Sequence, residues 1–236
     1  MNTKSLIFRK NIIRILIIVS VQLIAATIIN AQTIPLYKNS RAPINERVKD
    51  LLDRMTPTEK FWQLFMIPGD IKPGEGYKYK DGLFGFQVSA ASAGADGAQQ
   101  MLQYNATETA VSLAKKVNKI QQFFIDSTRL GIPMLPFDEA LHGLVRQGST
   151  IFPQSIGLAA TFNISTMESV AGAIAKESKI RGIRQILSPV INIATDVRWG
   201  RTEETYGEDP FLSSEMGYSY VRQFEKAGII TTPKHF

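Results

Sequence analysis

The stretch KIRGIRQILSPVINIATDVRWGR, Lys179–Arg201, decides how the chain is read. Its first residues end a helical pattern. Gly182 then supplies the stop that a helix C-terminus favours. Ile183 to Ile193 is a run of β-branched and apolar residues with Pro189 near its end, which predicts a buried strand. The polar cluster Asp196, Arg198 and Arg201 follows directly. Helix, glycine, buried strand and polar loop in that order make one turn of an α/β architecture with a parallel sheet.

The same grammar extends in both directions. Downstream, Pro210 opens a helix that ends near Gly228, and Ile229 to Thr232 is a further strand. Upstream, a helix capped at Ser165 to Glu168 runs to about Arg181. Ile156 to Ala160 and Ile132 to Phe137 read as strands. A long helix capped at Asn105 to Glu108 runs to about Thr128. Leu83 to Val88 reads as a buried strand. Ser89 to Gln100 and Pro68 to Gly76 read as loops. Thr56-Pro57-Thr58-Glu59 has the spacing of a capping box with Pro at the first helical position, opening a helix that carries Trp62 and Phe65. Asn45 to Met55 forms an earlier helix. Five or six strand segments separated by helices predict an α/β fold, an incomplete (β/α)8 TIM-type barrel.

The leader stands apart. Lys4, Arg9, Lys10 and Arg14 precede an apolar run from Ile15 to Ile29, and a small residue, Ala31, precedes Gln32. This is the pattern of a secretory signal peptide over residues 1–31, with cleavage after Ala31. The apolar run is short for a membrane span and is interrupted by polar residues. The expectation is an exported chain, periplasmic or extracellular, with no stable membrane anchor after cleavage. The remaining residues, 32–236, are read as barrel. The formal charge of +6 comes largely from the leader, which holds four of the 27 Lys and Arg and no acid. The rest carries 23 cations against 21 carboxylates, so the sequence gives no ground for a nucleic acid partner. The absence of Cys removes disulfides and thiolate chemistry. Oligomeric state is not legible.

In barrels of this class the chemistry gathers at the C-terminal ends of the strands. Three polar groups fall there: Asp138, Glu139 and His142; Asp196, Arg198 and Arg201; and Lys234 with His235. Cationic donors and carboxylate acceptors at one mouth suit a polyhydroxylated ligand. Each has a plainer reading. Arg201 can be a structural ion pair with Glu203 or Glu204, His142 a core histidine bonded to backbone, and Trp199 a packing anchor rather than a platform for a sugar ring. With two His and no Cys, zinc is poorly served. Asp196, Glu203, Glu204, Glu208 and Asp209 lack the spacing of a calcium loop. No metal and no cofactor is expected.

The segments MTPTEK, IPMLPFDEALHG, TIFPQSIGLAATF, VRWGRTEETYGEDP and TTPKHF, taken together, resemble the successive signatures of glycoside hydrolase family 3, in the family's order. The resemblance covers the chain after Ala31. It implies a (β/α) barrel and retaining exo-hydrolysis of terminal β-linked sugars, β-glucosidase-like, with an oligosaccharide or β-glycoside as substrate. A β-xylosidase of the same family and a non-catalytic carbohydrate-binding relic are the alternatives. By resemblance Glu139, Arg201, Lys234 and His235 bind sugar hydroxyls. Thr195-Asp196-Val197 departs from the Arg-Asp-Pro that the family commonly shows before Arg-Trp-Gly-Arg. The family's nucleophile Asp and acid/base Glu belong to later motifs and are expected beyond Phe236. No catalytic residue is therefore assigned within the chain, and residues 1–236 alone are expected to be inactive.

Overall fold

The computed structural model describes residues 34–88 and 108–235. The residues read from the sequence as a signal peptide, as a loop from Ser89 and as the start of a cap at Asn105 lie outside them. The chain divides into two compact units between Met55 and Thr56. In the first, a 3-10 turn at Leu36–Lys38 precedes helix α1, Ile44–Arg54. The two are joined through Tyr37. Its N–H donates to Asp50 Oδ2 at 3.0 Å, and its carbonyl accepts from Arg47 Nε at 3.1 Å.

The second unit opens with the expected capping box. Thr56 Oγ1 accepts from the Glu59 N–H and Glu59 Oε2 accepts from the Thr56 N–H, with Pro57 at the first helical position of α2, Pro57–Trp62. The Glu59 carboxylate also takes Arg129, 70 residues away in sequence. That pairing holds the carboxyl below the usual range despite its burial. Phe65 lies past the end of α2. Strand β1, Met66–Pro68, follows where the sequence suggested a helix end running into a loop. Three residues are too few to show a period-2 pattern.

Strands β2, Gly85–Gln87, β3, Leu135–Asp138, and β4, Gln185–Ile186, complete a parallel sheet in the order β1-β2-β3-β4. A fifth extended segment joins it by bridges, Gln185 with Ile230 and Val190 with Lys234. Consecutive parallel neighbours are the arrangement of a barrel wall. The connections are helical: α3, Ala110–Ser127, leads into β3; α4, Ser155–Ala159, and α5, Ile164–Ile180, lead into β4; α6, Pro210–Ala227, leads to the fifth segment.

Each of the long helices α3, α5 and α6 turns its apolar stripe inward. Leu113, Val117, Ile120 and Phe124 of α3 are buried, as are Met167, Val170 and Ile174 of α5 and Met216, Tyr220 and Phe224 of α6. They pack into one core with Phe86 of β2 and Ile186 of β4.

Several boundaries differ from the sequence reading. Ile156 to Ala160 is helical, within and just after α4, and not a strand. A short apolar run reads the same way in a strand and in a buried helix. The cap of α5 is Asn163, which accepts from the Thr166 N–H, and not Ser165. That of α3 is Thr109, which accepts from the Ser112 N–H. The run from Ile183 to Ile193 pairs as a strand only at Gln185–Ile186, then bridges again at Val190. Among the described residues there are four strands and one bridged segment, against the five or six expected. The helix opened by Pro210 is as read, with Asp209 accepting from the Leu212 N–H at 2.7 Å and Gly228 as a left-handed cap.

Gly85 sets the spacing of β2 and β3. A Cβ there would stand 2.3 Å from the Leu135 carbonyl oxygen, its partner across the sheet. Gly85→Ala should therefore destabilise the second unit by about 1–3 kcal/mol through overpacking. Gly157→Ala, where the nearest atom would be 3.5 Å away on Pro153, is the matched control in helix α4 and should be neutral or stabilising. Urea denaturation midpoints of the two variants decide it; equal midpoints would remove Gly85 from this role.

Candidate active site

The last residue of β3 is Asp138, whose carboxylate is fully buried. Gln87 Nε2 of β2 donates to it at 3.3 Å, and Arg146 Nη2 reaches both of its oxygens at 3.1 and 3.2 Å. The backbone N–H of Glu139 donates to Oδ1 at 2.8 Å. The peptide of Glu139 is thus fixed by a buried anion, and its side chain leaves the strand end toward the fifth segment. There Lys234 Nζ donates to Glu139 Oε1 at 3.1 Å and approaches Oε2 at 3.4 Å. Burial lifts the Glu139 carboxyl above the ordinary glutamate range, with the Lys234 ammonium pulling against it.

The loop after Glu139 is clamped at three points. The Ala140 carbonyl accepts from the buried Tyr220 hydroxyl of α6 at 2.6 Å. His142 Nδ1 lies 2.8 Å from the Phe152 carbonyl, and the Phe152 N–H returns a bond to the His142 carbonyl. Gly143 has φ 137°, and a Cβ there would meet the Thr150 carbonyl oxygen at 2.4 Å. The Glu-Ala-Leu-His-Gly stretch therefore divides its work. Glu139 faces the mouth, and His142 is a structural histidine bonded to backbone.

Arg201 stands at the start of a 3-10 turn, Thr202–Glu204. Its Nε and Nη2 donate to the two oxygens of Glu204, both at 2.7 Å. That fork holds the Glu204 carboxyl below its usual range and the guanidinium above its own. Arg201 Nη1 lies 3.1 Å from His235 Nε2. His235 is anchored from its other side: its backbone N–H and its Nδ1 both lie 2.9 Å from Asn192 Oδ1. The Trp199 ring meets the imidazole edge-on, with ring centroids 6.5 Å apart.

Glu139, Arg201, Lys234 and His235 are thus brought together at the ends of adjacent strands. Asp196 and Arg198 are not part of the group. They pair with each other on the exposed surface, and Asp209 is spent on capping α6. Sequence reasoning missed the tethering role of Asp138 with Gln87 and Arg146, and it missed Asn192. The available signal for Asn192 was a lone amide inside the apolar run Val190–Ile193.

Comparison with known proteins follows the same line. The family model described as "Glycosyl hydrolase family 3 N terminal domain" matches residues 79–236. A probable beta-glucosidase C from Aspergillus oryzae is 33% identical over 222 residues, covering 86% of this chain and 33% of that protein. A beta-xylosidase from Formosa agariphila is 34% identical over 140 residues, 53% of this chain and 19% of that protein. Among solved structures, a β-glucosidase from Erythrobacter marinus superposes with a TM-score of 0.70 at 29% identity, covering 86% of this chain and 27% of that one. The beta-glucosidase from Listeria innocua solved in complex with isofagomine gives a TM-score of 0.62 at 25% identity, covering 81% and 25% of the two chains. The chain spans about a third or less of the length of the curated relatives it matches.

The two glutamates of the site should titrate on opposite sides of the ordinary value of 4.5. Glu204, with its pKa depressed, contributes stability that is full above 4.5 and is lost as the pH falls through its own lower value. For Glu139, with its pKa raised, the sign reverses: its contribution is full below 4.5 and is lost as the pH rises through the raised value. On acidification Glu139 takes its proton first, so the contact with Lys234 loosens while the Arg201 fork persists. Carboxyl 13C NMR titration measures the order; Glu204 protonating at or before Glu139 would contradict it.

Proposed function

The chain belongs to glycosyl hydrolase family 3, and from that premise we propose that it forms the sugar-recognition side of a retaining exo-β-glycosidase site, β-glucosidase-like. Glu139, Arg201 and Lys234 bind hydroxyls of the terminal, non-reducing sugar, and His235, whose ring nitrogens are engaged by Asn192 and Arg201, orients that guanidinium. The observation that carries this is the convergence of Glu139–Lys234 and Glu204–Arg201–His235 at neighbouring strand ends. A sugar hydroxyl is at once donor and acceptor. A carboxylate beside an ammonium offers both complements, and the guanidinium adds further charged donors. Charge-assisted bonds of this type are shorter and stronger than neutral ones.

The reacting carboxyl groups are a separate matter. Retention needs a nucleophile and a proton donor about 5–5.5 Å apart across the anomeric carbon. Glu204 is committed to Arg201 and kept ionised by it, which suits neither the donor's need for a proton nor the freedom of a nucleophile. Glu139 is engaged by Lys234. We assign the nucleophile Asp and the acid/base Glu to residues outside 1–236. We also propose that residues 1–31 act as a signal peptide, so that the protein works in the periplasm or outside the cell. A relative named periplasmic beta-glucosidase, from Salmonella typhimurium, supports that location. Among the described residues no helix is long and apolar enough to cross a membrane.

β-Xylosidase activity is the second reading, favoured by the likeness to the Formosa agariphila enzyme. Paired rates on aryl β-glucosides and aryl β-xylosides separate the two.

Arg201→Ala in the full-length enzyme removes a charged donor to the sugar and should weaken binding of a terminal β-glucoside by about 10–100-fold, the equivalent of ~1.5–3 kcal/mol. Calorimetric titration measures it, and unchanged affinity would sink the assignment. A polypeptide limited to residues 1–236 should release no aglycone from aryl β-glucosides. Turnover that disappears with Arg201→Ala would place the reacting groups within it.

A further inference from the structure

Asn192 presents one oxygen to two nitrogens of one residue. The His235 backbone N–H and the His235 Nδ1 each lie 2.9 Å from Asn192 Oδ1. A backbone amide can only donate, so the Asn192 atom it meets is the oxygen and not the NH2 group. A carbonyl oxygen can only accept, so Nδ1 carries a proton. The other ring nitrogen, Nε2, lies 3.1 Å from Arg201 Nη1. A guanidinium has donors and no acceptor, so Nε2 must offer a lone pair. One state satisfies all three contacts: a neutral imidazole protonated at Nδ1.

The charges around the ring agree. Burial and the nearby cations Arg201 and Lys234 lower the His235 pKa, and Glu204 pulls in the opposite direction. Trp199 adds an uncharged ring edge.

We propose that Asn192 is a positioning residue that fixes His235 as the neutral Nδ1–H tautomer and through it sets the Arg201 guanidinium. Glu204 takes Nε–H and one Nη2–H of Arg201; His235 takes one Nη1–H. One N–H on each terminal nitrogen is left to point at a ligand oxygen. Without the Asn192 oxygen, the imidazole is free to move its proton to Nε2, where it would confront a guanidinium donor with another donor. The consequence for ligand binding rests on the sugar-recognition reading; the tautomer does not.

Long-range 1H–15N NMR of the full-length protein at neutral pH, with His142 and His235 assigned by substitution, tests this directly. Residues 1–236 hold these two histidines. His142, bonded through Nδ1 to the Phe152 carbonyl, must also carry its proton on Nδ1 and serves as the internal reference. His235 should show a protonated Nδ1 and an unprotonated Nε2, and His142 a protonated Nδ1. Asn192→Ala should shift one set toward the Nε2–H form, leave the other unchanged, and lower affinity for methyl β-glucoside several-fold. Asn192→Asp keeps the acceptor and adds charge, so Nδ1–H should remain while the protonation midpoint of His235 moves up. A His235 that is imidazolium or Nε2–H in the unmodified chain would overturn the proposal, as would a spectrum untouched by Asn192→Ala. Should the Ala variant not fold, the unmodified chain and the Asp variant give the decision. Correct tautomers with no response to methyl β-glucoside would instead count against the sugar reading alone.

Discussion

The site depends on a charge that never meets solvent. Asp138 closes β3 inside the core and is held by Gln87 from the neighbouring strand and by Arg146 from the following loop. A buried ion pair of this kind is no great source of stability in itself. Removing one partner, however, leaves an uncompensated charge and typically costs about 3–5 kcal/mol. The arrangement is therefore hard to alter piecemeal. Its output is a single peptide N–H, that of Glu139, pinned to the carboxylate. The direction of the Glu139 side chain follows from that pin.

Similar tethers recur around the mouth. Tyr220 reaches from α6 to the Ala140 carbonyl and to Ser188 Oγ, so one buried phenol links the loop after β3 with the segment after β4. Its hydroxyl is held far from ionisation by burial, which suits a permanent donor. Glu204 steers Arg201, and Asn192 holds His235. Arg201 and His235 are each aimed by a neighbouring side chain, and the loop that carries Glu139 is held by a third. Such support is what keeps a polar constellation within the tolerance that recognition demands.

Much of this was legible in the sequence, for identifiable reasons. Capping chemistry is local, so Thr56 to Glu59 and Asp209-Pro210 could be read directly. The long amphipathic helices announced themselves by period. The placement of Glu139, Arg201, Lys234 and His235 at strand ends followed from the alternation of strands and helices, and the family resemblance named the same four. What escaped were features that exist only between distant segments. β1 is recognisable by its partner, Gly85–Gln87, and not by its own three residues. Asp138 and Arg146 are separated by eight residues, with no local pattern to mark one as the counter-ion of the other. Asn192 and His235 are 43 residues apart. Ile156 to Ala160 failed for a different reason: small and apolar residues leave the choice between strand and helix to the surroundings.

The pairing of charges at the mouth has a consequence for how a ligand arrives. Two cations, Lys234 and Arg201, stand against two carboxylates, Glu139 and Glu204, and each pair cancels within about one hydrogen-bond length. Seen from a Debye length away, roughly 10 Å at ordinary salt, these two pairs add almost no field. They neither draw in anions nor repel them. Uncharged molecules reach the mouth by diffusion alone, at rates that ionic strength barely changes. The strength of these groups is felt only on contact, where a desolvated hydroxyl meets a donor and an acceptor already in place.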